Sequence, residues 1–278
     1  MKIGYIDYYL NEFHANRYIG WLKEEDPTME VAYAYGQIAS PINKMTSEEW
    51  CKTYGVTQCG TIEEVVKKSD VLIVLAPDNC ETHEALCQLP LASGKPCYVD
   101  KTFAPDLYTA KRMFALADKH NTPCYSTSAL RYSHEYKGVD PATVKAIATW
   151  GPNPFDNYSI HQLEPIVMLM NCDCDTVLYI EGDNTYTIHM IFKDGRPAVM
   201  TSFLGGSPFI SNIATTAETH TLHIASGAYW KPFIQELVKF FKTGKNPVPH
   251  TDTLRIMAIR SAVLAAMKQP GQWVQVVK

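Results

Sequence analysis

The chain has 278 residues, 46% hydrophobic and 19% charged, the balance of a folded globular protein and not of a disordered one. Its 25 Lys+Arg against 29 Asp+Glu leave a formal charge of −4, so there is no basic footprint for nucleic acid. No apolar run approaches the ~18 residues of a membrane helix, and a chain of this length has core enough for two domains.

The first half alternates strand and helix. KIGYI is an apolar strand, followed by a helix around His14 to Lys23, and VAYAY (31–35) is a second strand. Thr61 with Glu64 has capping-box spacing and opens a helix whose apolar face is Ile62, Val65 and Val66. VLIVLAP (71–77) is a continuous apolar run ended by proline, the pattern of a parallel strand covered on both faces. A helix from His83 to Leu89, the strand PCYVD (96–100), a helix from Pro105–Asp106 and the strand TPCYSTS (122–128) complete the series. This rhythm predicts an α/β fold with a Rossmann-like, doubly wound parallel sheet over residues 1–127.

The second half, residues 128–278, predicts an α+β domain with a mostly antiparallel or mixed sheet. Its strands are VKAIATW (144–150), TVLYIE (176–181), NTYTIHMIFK (184–193), RPAVMTSFL after the Asp194–Gly195 turn, and one or two within NIATTAETHTLHIA. A helix at about 161–171 precedes most of them. Helices Lys231–Thr243 and Thr253–Lys268 close the chain, stopped by Gly244 and by Pro270–Gly271.

The eight cysteines sit singly in apolar or helical segments, apart from Cys172 and Cys174. No export signal opens the sequence, so they read as reduced thiols of a cytoplasmic protein. One close cysteine pair lacks the further ligands of a metal site. His220 and His223 fall on opposite faces of a strand, so no metal is expected.

SDVLIVLAP, then His83, then LASGKPCYVDKTFAPDLYTAKRMFALADKHNTPCYSTSALRY resembles the Gfo/Idh/MocA family of nicotinamide-dependent sugar and polyol oxidoreductases. Asp100–Lys101–Thr102 stands where that family has Glu-Lys-Pro, and NYSIHQLE (157–164) stands where it has Asp-x-Gly-x-His-x-x-Asp. The closing helix pair and last strand are also similar. The resemblance implies an NAD- or NADP-dependent dehydrogenase of a sugar or polyol, working as a homo-oligomer (dimer or tetramer). It implies that Lys101 and His161 are the catalytic residues, with Asn157 and Glu164 on the substrate. Asn157 replaces an aspartate and cannot act as a base.

Around the cofactor, the resemblance points to Asp7, Tyr8, Tyr9, Tyr35, Ala76, Pro77, Asp78, His83 and Asp100. A Rossmann turn, however, needs Gly-x-Gly-x-x-Gly so that the backbone can approach the pyrophosphate. IGYIDYYLNEFHA offers Asp7, Tyr9 and Glu12 near those positions. Tyr9 would fill the pyrophosphate's space, and Glu12 would satisfy the helix dipole with its own carboxylate. Tyr35–Gly36 stand where an acid would hold the ribose. These departures favour a second reading, a relative that binds a sugar-like ligand or a protein partner without a dinucleotide. A structural subunit of a larger oxidoreductase assembly is a third.

Overall fold

The computed structural model describes residues 1–277. It forms two compact units. The first comprises residues 1–104, 108–126 and 234–250; the second comprises 105–107, 127–233 and the chain from 251 onward.

In the first unit, β1 (Lys2–Asp7), α1 (Phe13–Glu25), β2 (Glu30–Gly36), α2 (Ser47–Tyr54), β3 (Thr57–Gln58), α3 (Ile62–Lys68), β4 (Val71–Val74), α4 (His83–Leu91), β5 (Cys97–Val99), α5 (Leu107–Lys119) and β6 (Cys124–Tyr125) follow one another. The strands form one sheet in the order β3-β2-β1-β4-β5-β6, and every pairing is parallel. All four residues of β4 are buried, as a strand covered on both faces requires. The order reverses between β1 and β4, which makes their carboxyl ends the switch point where such sheets bind ligands.

Local chemistry accounts for the helix starts. Thr46 Oγ1 accepts from the Glu49 N–H at 3.2 Å while the Glu49 carboxylate takes the Thr46 N–H at 2.8 Å, a complete capping box for α2. At α3 the box is only half formed: Thr61 Oγ1 accepts from Glu64 N–H at 3.2 Å, but the Glu64 carboxylate reaches Gly60 N–H at 2.7 Å.

The second unit is built on β7 (Val144–Pro152), α6 (Phe155–Met170), β8 (Cys174–Gly182), β9 (Thr185–Phe192), β10 (Pro197–Phe203), β11 (Ile210–Thr215) and β12 (Thr219–His223). The chain closes with α7 (Trp230–Thr243), α8 (His250–Ala266) and β13 (Trp273–Gln275). Seven strands order as β12-β11-β7-β10-β9-β8-β13. The sheet is mixed, because β10 lies parallel to β7 while its other pairings are antiparallel. Helix α6 packs on it through a buried polar bridge. Gln162 accepts from Thr149 Oγ1 at 2.8 Å and donates to Ser202 Oγ at 2.9 Å. Gly151 leaves room for that bridge, since a Cβ there would stand 2.6 Å from Gln162 Nε2.

Most of α7 belongs to the first unit. Phe240 meets Tyr125 edge-on with ring centres 4.8 Å apart, and Lys242 Nζ lies 2.6 Å from an Asp26 carboxylate oxygen. Among the described residues, no helix is long and apolar enough to cross a membrane.

Candidate functional site

At the carboxyl edge of the first sheet, backbone and side chains converge on a buried acidic cluster. Asp7 ends β1 and is fully buried. Its Oδ1 accepts from Ala76 N–H at 2.9 Å and Tyr9 N–H at 3.3 Å, tying the end of β1 to the segment after β4. Its Oδ2 is buried without a hydrogen-bond partner. Burial pushes the Asp7 carboxyl well above the usual range, against the pull of these backbone donors. Ala76 turns the chain here with a left-handed φ of 60°.

Glu12 caps α1. Its carboxyl accepts from His14 N–H at 2.6 Å and from Ala15 N–H in a shorter contact. Burial, with Asp7 and Asp100 adding repulsion, raises its pKa to about 8 even though His14 and the Ala15 N–H oppose the rise. His14, in the first turn of α1, donates from Nδ1 to Asp100 Oδ2 and stacks on Tyr18 with ring centres 5.2 Å apart. Asp100 Oδ1 accepts from Tyr98 Oη at 3.0 Å and from Lys101 N–H at 2.9 Å. Despite burial, His14 and Lys101 hold the Asp100 carboxyl below its ordinary value, and Asp100 in turn raises the His14 imidazole against burial and the Lys101 charge. The Lys101 ammonium is buried, donates to Pro77 O at 3.0 Å and lies 3.6 Å from half-exposed Asp78.

The structure therefore brings together Asp7, Tyr9, Ala76, Pro77, Asp78, Asp100 and Lys101 of the residues predicted from sequence. Tyr8 is half-buried beside Tyr9, their rings edge-on at 6.1 Å, and Tyr35 lies at the end of β2. His83 spends both ring nitrogens on backbone carbonyls of the same edge. It is fully buried, with Nδ1 3.0 Å from Phe103 O and Nε2 against Leu75 O, and burial lowers its pKa. It knits the segments after β4 and β5 together, while Thr82 occupies the N-cap position of α4.

In the second unit, α6 starts at Phe155, well before the expected residue 161, with Pro154 at its N-cap. Asn157 and His161 are thus one helical turn apart on the same half-buried face. The His161 ring meets Tyr158 and Phe209 edge-on, with centres 5.4 and 5.8 Å away. Ser128 Oγ lies 2.7 Å from His161 Nδ1 and accepts from Leu130 N–H at 3.2 Å. The fully buried Ser128 hydroxyl holds the orientation of the His161 ring, and the ring's tautomer decides which of the two donates across that contact.

Glu164 is engaged in the interior. Its Oε1 accepts from Thr127 Oγ1 at 2.7 Å and from Arg131 Nη1 at 3.0 Å, and Arg131 Nη2 reaches Asp252 at 2.7 Å. Burial raises the Glu164 carboxyl, with Arg131 opposing. Sequence reasoning missed Ser128 and Arg131, whose significance arises from helices distant in the chain. Among the described residues, no group of three or more His, Cys, Asp or Glu stands ready for a metal.

Residues 11–128 match the sequence model of the Gfo/Idh/MocA oxidoreductase family, described as an NAD-binding Rossmann fold. The chain is also similar in fold, over its whole length, to inositol dehydrogenases. Apo scyllo-inositol dehydrogenase from Lactobacillus casei superposes with a TM-score of 0.83 at 15% identity, covering 100% of this chain and 98% of that one. The same enzyme with bound NAD(H) and scyllo-inositol gives 0.81 at 14% identity, covering 100% and 99%. Myo-inositol 2-dehydrogenase from Lactobacillus plantarum gives 0.80 at 15%, covering 99% of each chain. No curated protein matches the sequence. The expected family resemblance is borne out in sequence over residues 11–128, and across the whole chain the likeness is one of fold. The family's NAD would normally place its pyrophosphate on the N-terminus of α1. The residues present do not fit it there, because Glu12 already holds the His14 and Ala15 N–H groups.

Proposed function

We propose that this chain, whose residues 11–128 carry the match to an NAD-binding oxidoreductase family, acts on a polyol or sugar-like hydroxylated metabolite as an NAD(P)-dependent oxidoreductase. The observation that carries the reading is Lys101: a buried ammonium at the carboxyl edge of a parallel sheet, steered by Pro77 O and Asp78. In this proposal Lys101 stabilises negative charge developing on the ligand's reacting oxygen. In the second unit, with the Ser128 hydroxyl donating to Nδ1, His161 keeps its proton on Nε2 and offers a hydrogen bond to a ligand hydroxyl. Asn157 hydrogen-bonds neighbouring hydroxyls from the same helical face, and Glu164 positions this set through Arg131 and Thr127.

NAD and NADP are both compatible with the reading, engaged otherwise than through the α1 terminus. A cytoplasmic location is supported by eight free cysteines. A homo-oligomer is supported by Trp150 and Ile180, large apolar residues exposed on the second sheet. The second reading, a polyol- or sugar-binding relative working without a dinucleotide, is favoured by Glu12.

The test is thermal unfolding with NAD⁺, NADH, NADP⁺ and NADPH, each alone and with a panel of inositols and sugars. A ligand at a hundred times its Kd stabilises by about 2.7 kcal/mol, a shift of several degrees. A saturable shift with one nucleotide, together with polyol turnover abolished in Lys101→Ala, is the expected result. Stabilisation by a polyol but by none of the four nucleotides selects the second reading. No shift with any compound defeats both.

A further inference from the structure

The disagreement at α1 extends well beyond one carboxylate. In a Rossmann sheet of this strand order, the adenosine–pyrophosphate half of a dinucleotide lies across the β1–α1 turn and the end of β2. Here the segment after β2 is laced to that turn. Gln37 N–H donates to Asp7 O at 3.1 Å and Ile38 N–H to Tyr8 O at 2.9 Å, continuing the β1–β2 ladder past the strand ends. Ser40 Oγ donates to Asn11 O at 3.2 Å, and Asn11 Nδ2 donates to Asn43 Oδ1 at 3.0 Å.

The end of β2 is sealed as well. Ser47 Oγ donates to Gly36 O at 3.2 Å. A Cβ at Gly36 would stand 2.5 Å from Ser47 Oγ and 3.1 Å from Leu10 Cγ. An acid for the ribose at that position has no room. Tyr9, where a glycine would allow close approach, is 7% exposed, with its ring edge-on to that of Tyr8.

Two independent constructions thus occupy one seat: side-chain capping of the helix by Glu12, and backbone lacing of residues 36–43 onto residues 7–11. We infer that the chain has built the adenosine–pyrophosphate half of the family's dinucleotide seat into its own structure, so no dinucleotide is held by the N-terminus of α1. The strand ends at Ala76–Asp78 and Asp100–Lys101 lie outside this seal. This inference stands apart from the proposed activity, since it concerns where a nucleotide is not held, whether or not one is used.

The experiment is titration of the ¹⁵N-labelled full chain with ADP-ribose and with NADH, following backbone amide resonances and calorimetric heats together. The expected result is that the amides of His14, Ala15, Gln37 and Ile38 stay in place at millimolar concentrations of either probe. NADH binding with those four amides unmoved upholds the inference and the dehydrogenase reading together. No binding of either probe upholds the inference and defeats that reading. Saturable binding that shifts His14 and Ala15 overturns the inference while leaving the dehydrogenase reading intact. A second arm uses Glu12→Gly, which frees two N–H donors. The lacing of residues 36–43 stays in place in this variant, so the amides of Gln37 and Ile38 should remain unmoved by ADP-ribose there as well. Saturable shifts of Gln37 and Ile38 in the variant would overturn the part assigned to the lacing.

Discussion

Replacing Glu12 by glutamine tests the buried acidic cluster through its effect on stability against pH. The Glu12 carboxyl titrates near 4.5 when unfolded and at about 8 in the folded chain. A folded-state pKa above the unfolded value gives full stability below about pH 4.5, a progressive loss as pH rises, and completion of that loss above 8. The difference of about 3.5 units at 1.36 kcal/mol each sets the loss at no more than about 5 kcal/mol. Glutamine cannot ionise, so the variant escapes it. The amide has only one oxygen, so one of the two N–H bonds at the N-terminus of α1 is forfeited, at about 1–2 kcal/mol. The variant should therefore be the less stable protein at pH 5 and the more stable one at pH 9, a relative swing of about 4 kcal/mol. Urea unfolding of both proteins at the two pH values measures this directly. Asp7 and His14, whose pKa values are also raised, weaken both proteins in the same alkaline direction, so the difference between the curves reads Glu12 together with its coupling to His14. Parallel stability–pH curves, with a swing below 1 kcal/mol, would refute the reasoning. They would mean that the helix terminus and His14 keep Glu12 ionised in the folded state.

Two further outcomes follow from the second unit. Arg131→Met leaves Glu164 and Asp252 buried without their shared cation and should cost about 3–5 kcal/mol, whereas adding Glu164→Leu should recover part of that loss; chemical denaturation of both variants checks it. Ser128→Ala removes the hydrogen directed at His161 Nδ1, so the ring should change from a single Nε2–H tautomer to a mixture. Imidazole ¹⁵N shifts read the tautomer, and an Nδ1–H ring in the wild-type chain would contradict the assignment.

Periodicity made the strands and most helices legible, because burial on both faces leaves a continuous apolar run such as VLIV and burial on one face leaves alternation. The helix α2 is equally available in TSEE, a capping box, but it is only eight residues long, with Trp50 and Cys51 its buried residues. The early start of α6 is hidden because the polar residues Asp156, Asn157, Ser159 and His161 dilute the apolar period of its first turns. The parallel pairing of β7 with β10 joins residues some fifty positions apart, and no local pattern encodes such a partner.

The candidate site divides along the same line. In the sequence, a resemblance points to Lys101 and His161, and Asp7, Tyr9 and Glu12 mark the missing glycines, since residue type decides whether a backbone can turn tightly. Only the folded chain decided what replaced those glycines. The capping carboxyl, the lacing of residues 36–43 onto the β1–α1 turn, the Asp100–His14 pair and the Ser128 contact to His161 each join groups that are close in space through several elements at once. Hydrogen-bond partners and burial are properties of three-dimensional neighbourhoods, and they set the protonation states and the space on which this site's chemistry depends.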